Sequence, residues 1–285
     1  MDNPKVSVVV PAYNAEKTIQ KCLDSLLRID YPFYEIVVVD DGSTDGTWDI
    51  LRKYSAANSN VKCIRQKNKG PAAARNRGVR KSIGEVIFFT DSDCIVPRDW
   101  VTRLLRYFGD ESIGAAGGSL KPATVNSIFE QFDQKRRENL YGNIKRFIDA
   151  LPTCNLAVRR NVFEEVGGFD ESFKCASAED YDLCYRMRDR GYKIFYDPEV
   201  SVLHYHSQDI RSLLRRGYIH GREGVKLRAK GKYPMYKEVI SLAKFVLLPL
   251  TSLRCYPGKL YFIGLLYDLT SYAGKLSGLL RYRRS

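Results

Sequence analysis

The sequence contains no uninterrupted apolar stretch near the roughly 18–20 residues that a bilayer-spanning helix needs. Its start lacks an apolar leader: the first residues are charged and run at once into a strand-like segment, so the chain is expected to begin in the cytoplasm. None of the seven cysteines (Cys22, Cys63, Cys94, Cys154, Cys175, Cys184, Cys255) forms a C-x-x-C pair, and their number is odd. That pattern argues against disulfides or a zinc module and for buried free thiols in a reducing compartment. Histidine is scarce, three residues in all. There is no internal repeat and no low-complexity tract. No glycine-rich, lysine- or arginine-bearing phosphate loop follows the first strand; Pro11-Ala12-Tyr13-Asn14 stands there instead.

What is present is a chain of 285 residues, 44% hydrophobic, with enough apolar side chains for a sizeable core. The net charge of +13 is unevenly placed. From Gln208 onward there are 16 Lys+Arg and 4 Asp+Glu, so the first 207 residues are close to neutral. A near-neutral body therefore carries a strongly basic tail, which calls for an anionic partner.

The β-branched run at 6–10 reads as a buried parallel strand ended by Pro11. Residues 15–28 follow with Ile19, Leu23, Leu26 and Leu27 at helical spacing. Strands are then expected at 36–39, 61–65 and 86–89, with helices around Trp48, Leu51 and Tyr54 and from Pro71. This alternation defines an α/β fold with a mostly parallel sheet covered by helices. The middle is less regular. A helix is expected over 129–147, a short strand at 155–158, a helix over 177–190, and two strands at 193–196 and 200–205.

Three polar clusters follow strand ends: Asn14, Asp40-Asp41 and Asp91-Ser92-Asp93. In open α/β sheets that edge is where ligands bind. Two carboxylates one residue apart, as in Asp91-Ser92-Asp93, suit a divalent cation shared with substrate phosphates, or a cation and a sugar hydroxyl. A D-x-D alone is also a common solvated turn. In Asp40-Asp41-Gly42-Ser43, a carboxylate at a strand end can accept from a base N–H or a ribose hydroxyl, while Ser43 or Thr44 can cap a helix. Gly70-Pro71-Ala72-Ala73-Ala74-Arg75-Asn76-Arg77-Gly78 puts small residues at a helix start, with Arg75 in reach of a diphosphate and Arg77 solvated.

Taken together, Val6–Asn14, Asp40–Thr47, Gly70–Gly78 and Asp91-Ser92-Asp93 resemble the ordered motifs of the inverting family-two glycosyltransferases. Thr153–Arg160, Val166–Phe173 and Glu179-Asp180 resemble that family's acceptor-side segments and its E-D motif, so the likeness covers roughly residues 5–206. It implies a Rossmann-like nucleotide-sugar transferase fold with a mixed sheet. It also implies roles by position. Pro11 and Tyr13 would line the nucleotide pocket with Asn14; Asp41 would contact the base, with Asp40 beside it; Arg75 would lie near the base or diphosphate. Asp91 would contact the ribose or sugar, with Ser92 and Glu179 on the donor side, and Asp93 would ligate Mn²⁺ or Mg²⁺. Asp180 would be the general base, kept ionised by the N-terminus of its helix. Ser177-x-x-Asp180 equally has the spacing of a capping box. His204 is the first choice for a further metal ligand and His206 the second; a structural role suits either.

The tail is read as a separate segment, giving a catalytic domain over 1–207 and a basic, apolar helical segment over 208–285. Gln208-Asp209-Ile210-Arg211 begins like the Q-x-x-R-W motif of processive relatives, but Ser212 replaces the tryptophan, which argues against processive polymerisation. Arg215, Arg216 and Arg222 are candidates to reach over the donor phosphates. The apolar stretches 239–253 and 260–280 are interrupted by Lys244, Pro249, Asp268 and Lys275. Mixed with Lys and Arg, they suit helices lying on an anionic membrane surface, with an oligomer interface as the competing use. The expected enzyme is a non-processive inverting glycosyltransferase at the cytoplasmic face of the membrane. Its partners would be a nucleotide diphosphate sugar donor and a lipid-linked or glycan acceptor. A nucleotidyltransferase is the alternative, and a nucleic-acid-binding protein using the basic tail a more distant one. The sequence does not name the sugar, the nucleobase or the acceptor.

Overall fold

A computed structural model describes residues 3–124, 127–205, 209–229, 255–256 and 258–282. Along the chain these form β1 (Val6–Ala12), α1 (Ile19–Leu26), β2 (Tyr34–Asp40), α2 (Thr47–Ala57), β3 (Val61–Arg65), α3 (Pro71–Arg80), β4 (Val86–Phe89), β5 (Cys94–Ile95), α4 (Trp100–Leu105), β6 (Ile113–Pro122), α5 (Ile128–Tyr141), β7 (Arg146–Phe147), β8 (Leu156–Arg159), α6 (Arg160–Glu165), α7 (Glu179–Asp189), β9 (Lys193–His204), α8 (Ile210–Leu227) and α9 (Leu260–Tyr282). They divide into two compact units. One holds the residues up to Ala123 together with Asn143–Tyr205; the other holds Thr124–Gly142 and the residues beyond Tyr205. The boundary expected at residue 207 is therefore incomplete, because α5 groups with the C-terminal helices.

The first unit is an α/β layer structure around a nine-stranded mixed sheet of order β3-β2-β1-β4-β8-β6-β9-β5, with β7 beside β9. The strands from β3 to β4 are all parallel. In β1, β4 and most of β2 the side chains are buried on both faces, which is why the sequence shows near-continuous apolar runs there rather than alternation, whereas the edge strand β3 is partly exposed. Val6, Val8 and Val10 share a core with Ile36, Val38, Phe88 and with Ile19, Leu23 and Leu26 of α1. Each such buried aliphatic side chain contributes about 1.5–3 kcal/mol. Trp100 is fully buried in the same core, where its ring meets Phe88 edge-on at 5.0 Å.

Two expectations for the middle change, and one strand is added. The helix expected over 129–147 ends at Tyr141, where Gly142 takes φ +70, and Arg146–Phe147 instead pairs with β9. The strands expected at 193–196 and 200–205 are one strand, β9, bulged where Gly118 pairs with Asp197 and Ser119 with Ser201. Pro198 lies in that bulge, its carbonyl accepting from Ser119 Oγ at 2.7 Å. A proline lacks the N–H that a regular ladder requires. Strand β6 had no clear signal, because Ala115-Ala116-Gly117-Gly118 has weak strand propensity. Its small residues are required by proximity: a Cβ on Gly118 would stand 1.8 Å from the Val200 carbonyl oxygen.

The second unit is helical. Helix α5 opens with a reciprocal capping box between Ser127 and Glu130. Phe132, Leu213, Tyr256, Ile263 and Tyr267 form its core. Helices α8 and α9 meet backbone to backbone: a Cβ on Gly221 would lie 1.8 Å from Ser271 O, and one on Gly274 2.0 Å from Tyr218 O. Gly278 meets Val225 farther along, so the two helices run in the same direction. Among the described residues no helix is long and apolar enough to cross a membrane. The apolar stretch expected at 239–253, His206 and Gln208 lie outside the described residues.

Candidate active site

The parallel register sets Ala12 beside Asp40 and Val9 beside Phe89, so the loops after β1, β2 and β4 open at one sheet edge. Asn14, Asp40-Asp41 and Asp91-Ser92-Asp93 all stand there, as the sequence pattern implied.

The first acidic pair is built into the scaffold. Asp40 is fully buried; its Oδ1 accepts from the Ser43 N–H at 3.1 Å and its Oδ2 lies 2.9 Å from Arg65 Nε. Arg65 also donates to Ser43 O and lies over the Trp48 ring. Asp41 is 4% exposed and accepts from Gln66 Nε2 (2.7 Å), Lys69 N (2.9 Å) and Gly70 N (2.8 Å). The expected base contact through Asp41 is thus a carboxylate already committed to the 66–70 loop. Asn14 adopts φ +50, a region asparagine tolerates. Its N–H donates to Ser43 Oγ and its Oδ1 accepts from Thr44 N, both at 2.9 Å. Pro11 is half-buried and Tyr13 is 52% exposed on the rim.

Arg75, expected to reach a diphosphate, is instead 2% exposed and engaged on both sides. It donates to Asp91 Oδ1 at 2.7 Å and to Glu179 Oε1 at 2.9 Å, with its guanidinium 5.6 Å from the Phe169 ring centroid. Burial alone would lower its pKa, but the two carboxylates outweigh that and raise it. Glu179 is equally fixed: 2% exposed, its Oε2 accepts from the Ser177 N–H at 2.7 Å. The Ser177–Asp180 capping box does not form, since the cap residue of α7 is Ala178 and Asp180 accepts from the Tyr181 N–H.

The second acidic pair is open by contrast. Asp91 and Asp93 have side chains 24% and 37% exposed. Strand β5 pairs Cys94 with His204, and the Tyr205 N–H donates to Asp93 O. This brings His204 Nε2 to 3.3 Å from Asp93 Oδ1. Ligand atoms of Asp91, Cys154 and His204 lie within 4.8 Å of one another, as do those of Asp93, Cys94 and His204. Carboxylates, an imidazole and thiols converging at a strand edge fit a divalent cation.

The electrostatics separate two of the carboxylates. Burial pushes Asp91 upward, but the Arg75 charge and hydrogen bond outweigh it, so its pKa is lowered. Asp180 moves the opposite way: burial first and the neighbouring Glu179 charge second raise it well above the usual value. The N-terminus of α7 was expected to keep Asp180 ionised, and this environment overrides it. A carboxylate raised by burial is better matched to proton abstraction near neutrality.

Residues without a sequence signal also shape the site. Cys154 lay inside the Thr153–Arg160 motif, but only the fold sets its thiol beside Asp91 and His204. At the opposite sheet end a cavity of about 720 Å³ is lined by Pro4, Tyr31, Val86, Leu105, Arg159 and Arg160, among others. Its Arg159 and Arg160 donate mainly to backbone carbonyls, so it offers little of a phosphate site. In the helical unit, Arg216 pairs with Asp133 and Arg222 with Glu223, each at 2.6 Å. Those two arginines, expected over the donor phosphates, are engaged within their own unit.

The motifs now have both geometry and order, and known proteins match them. The model of glycosyl transferase family 2 matches residues 7–167, and that of a glycosyltransferase-like family 2 matches residues 133–220. The chain is 30% identical over 250 residues to glycosyltransferase AglE of Haloferax volcanii, covering 86% of this chain and 81% of that protein. It is 34% identical over 209 residues to the probable glycosyltransferase YdaM of Bacillus subtilis, covering 68% and 49%. The chain spans less than half the length of several other curated relatives it matches. Among solved structures, a mannosyltransferase from Pyrobaculum calidifontis in complex with GDP-Man and Mn²⁺ superposes with a TM-score of 0.69 at 21% identity, covering 97% of this chain and 87% of that one. S. aureus TarS with UDP-GlcNAc gives 0.60 at 18%, covering 98% and 92%. At those identities the likeness is one of fold. The chain belongs to glycosyl transferase family 2. It is a glycosyltransferase.

Proposed function

We propose that the chain transfers a sugar from a nucleotide diphosphate sugar to a hydroxyl of a lipid-linked or glycan acceptor, with inversion and one sugar per encounter. The observation that carries this reading is the Asp91–Arg75–Glu179 bridge, which ties the open acidic pair to the helix bearing Asp180. The mannosyltransferase in complex with GDP-Man and TarS in complex with UDP-GlcNAc support the donor class.

In this reading the donor lies over the edge formed by Pro11, Tyr13 and Asn14. Asp40 and Asp41 act by fixing the loops around the base, and Asp91 and Ser92 face the ribose and sugar. Asp180 takes the proton of the acceptor hydroxyl as it attacks the anomeric carbon opposite the diphosphate. Asp93 and His204 would hold Mn²⁺ or Mg²⁺, which when bound offsets charge on the leaving diphosphate. Single transfer is favoured because Ser212, in the tryptophan position of processive relatives, helps start α8 instead. Asp209 accepts from Ser212 N at 2.9 Å and from Ser212 Oγ at 2.7 Å.

The test is transfer from a panel of nucleotide sugars with Mn²⁺ or Mg²⁺. Turnover abolished by Asp180→Asn, with donor binding kept, supports the reading; full turnover in that variant removes Asp180 as base. Asp93→Ala should lose the metal dependence.

The acceptor class and a place at the cytoplasmic membrane face rest on α9. Phe262, Leu266, Leu269, Leu276 and Leu280 are all exposed along it, within a segment rich in Lys and Arg. Full-length protein should float with anionic vesicles, and Phe262→Glu with Leu276→Glu should abolish flotation. Unchanged flotation removes this face as the anchor, and concentration-dependent self-association would assign it to an oligomer.

A further inference from the structure

We propose that Cys154 makes the donor edge a site for a thiophilic divalent cation such as Zn²⁺ or Cd²⁺, bound by the thiolate together with Asp91 and His204. The three ligand atoms come from the loop after β4, the turn before β8 and the end of β9, and lie within 4.8 Å of one another. Bonds of about 2.0–2.3 Å to oxygen, nitrogen and sulfur require only a small further closure of the side chains.

The thiol is held in place by its backbone. Thr90 Oγ1 donates to Cys154 O at 2.9 Å. The next residue, Asn155, is fully buried, accepts from Trp100 Nε1 at 2.8 Å, and donates to Ser119 O and Val200 O at 2.9 Å. Asp91 is aimed by Arg75, which engages its Oδ1. Cys154 is half-buried, whereas Cys22 and Cys94 nearby are fully buried. It is therefore the thiol an incoming ion meets. Mixed sulfur, nitrogen and oxygen ligands select Zn²⁺ and Cd²⁺ over Mg²⁺ and Mn²⁺, which prefer oxygen. Binding forms the metal–sulfur bond and releases the thiol proton to solvent.

Thiol ligation stands on the cluster's geometry alone. Only its consequence, that Zn²⁺ or Cd²⁺ displaces the hard cation and blocks transfer, rests on the function proposed above.

The experiment is a Cd²⁺ titration of the full chain, reading the ultraviolet charge-transfer band of a cadmium–thiolate bond. One equivalent should produce the band, Cys154→Ser should lose it, and Cys255→Ser should retain it. A band unchanged in Cys154→Ser, or none in the parent protein, overturns the proposal. If Cys154→Ser does not fold, iodoacetamide labelling of the parent protein with peptide mapping decides. Cd²⁺ should slow alkylation of Cys154, and equal labelling overturns the site. Mn²⁺-dependent nucleotide-sugar binding, measured in parallel, separates the two readings: its absence alongside the Cd²⁺ band sinks the donor reading and leaves the thiol site standing.

Discussion

Asp40-Asp41 and Asp91-Ser92-Asp93 end neighbouring regions of one sheet edge, yet they do opposite things. The first pair is 0% and 4% exposed and is surrounded by protein donors: Ser43 N, Arg65, Gln66, Lys69 N and Gly70 N. The second pair has side chains 24% and 37% exposed, with one arginine, one histidine and nearby thiols around it. Four donors from two adjacent loops and the Arg65 charge at the end of β3 surround the first pair and make it part of the frame. The second pair keeps oxygen capacity directed outward, which is what a ligand site requires. An acidic pair after a buried strand is therefore two different devices, and the donors supplied by the rest of the chain decide which.

Substitutions should break along this line. The largest effect expected is on chemistry: Asp180→Asn lowers kcat by about 10²–10⁴-fold while circular dichroism stays native. Asp93→Ala comes next, lowering kcat/KM by about 10²–10³-fold with little change in Tm. A Tm loss matching that of Asp41→Ala would erase the distinction between the pairs. Arg75→Ala removes the shared partner of two carboxylates and should cost about 3–5 kcal/mol of stability by urea denaturation. Asp41→Ala strands buried donors and should cost about 1–3 kcal/mol, with donor affinity falling only as the 66–70 loop loosens. Asn14→Ala, at φ +50, is the smallest, about 1–2 kcal/mol, and Asn14→Gly should recover much of it.

The pH dependence sharpens the contrast between Asp91 and Asp180. The lowered pKa of Asp91 contributes stability above the usual 3.8, lost as pH falls through its folded value. The raised pKa of Asp180 works the other way. Its contribution is present below 3.8 and lost as pH rises through the folded value. Asp180→Asn should thus be more stable than the parent at neutral pH, with the gain vanishing in acid. In the parent protein the acid limb of kcat should lie above the ordinary carboxylate range.

The parallel half of the fold was legible because β-branched runs such as Val6 to Val10 and Ile36 to Val39 report strands buried on both faces. The open acidic pair, Asp180 and His204 were legible as residue types at strand and helix ends. What a local pattern does not carry is who satisfies whom. Arg75 reads as a phosphate ligand until Glu179, far along the chain, closes on it. Glu179 reads as a donor contact until Ser177 and Arg75 occupy both its oxygens. Cys154 had no signal beyond its motif, because the proximity of its thiol to His204 depends on β8 and β9 taking their places in the sheet. Strand β6 escaped detection since Ala and Gly there answer to neighbouring backbone rather than to an apolar face.

The pairing of Cys94 with His204 has a consequence in time. During synthesis the first acidic pair meets its partners as soon as the nearby 66–70 loop emerges. The second meets its histidine only when β9 has been made and docked. That contact closes one of the longest loops in the sheet, and contacts of this kind form late. A half-made chain therefore has its frame before the open pair has met His204, and the contact between Asp93 and His204 should form in the last step of folding.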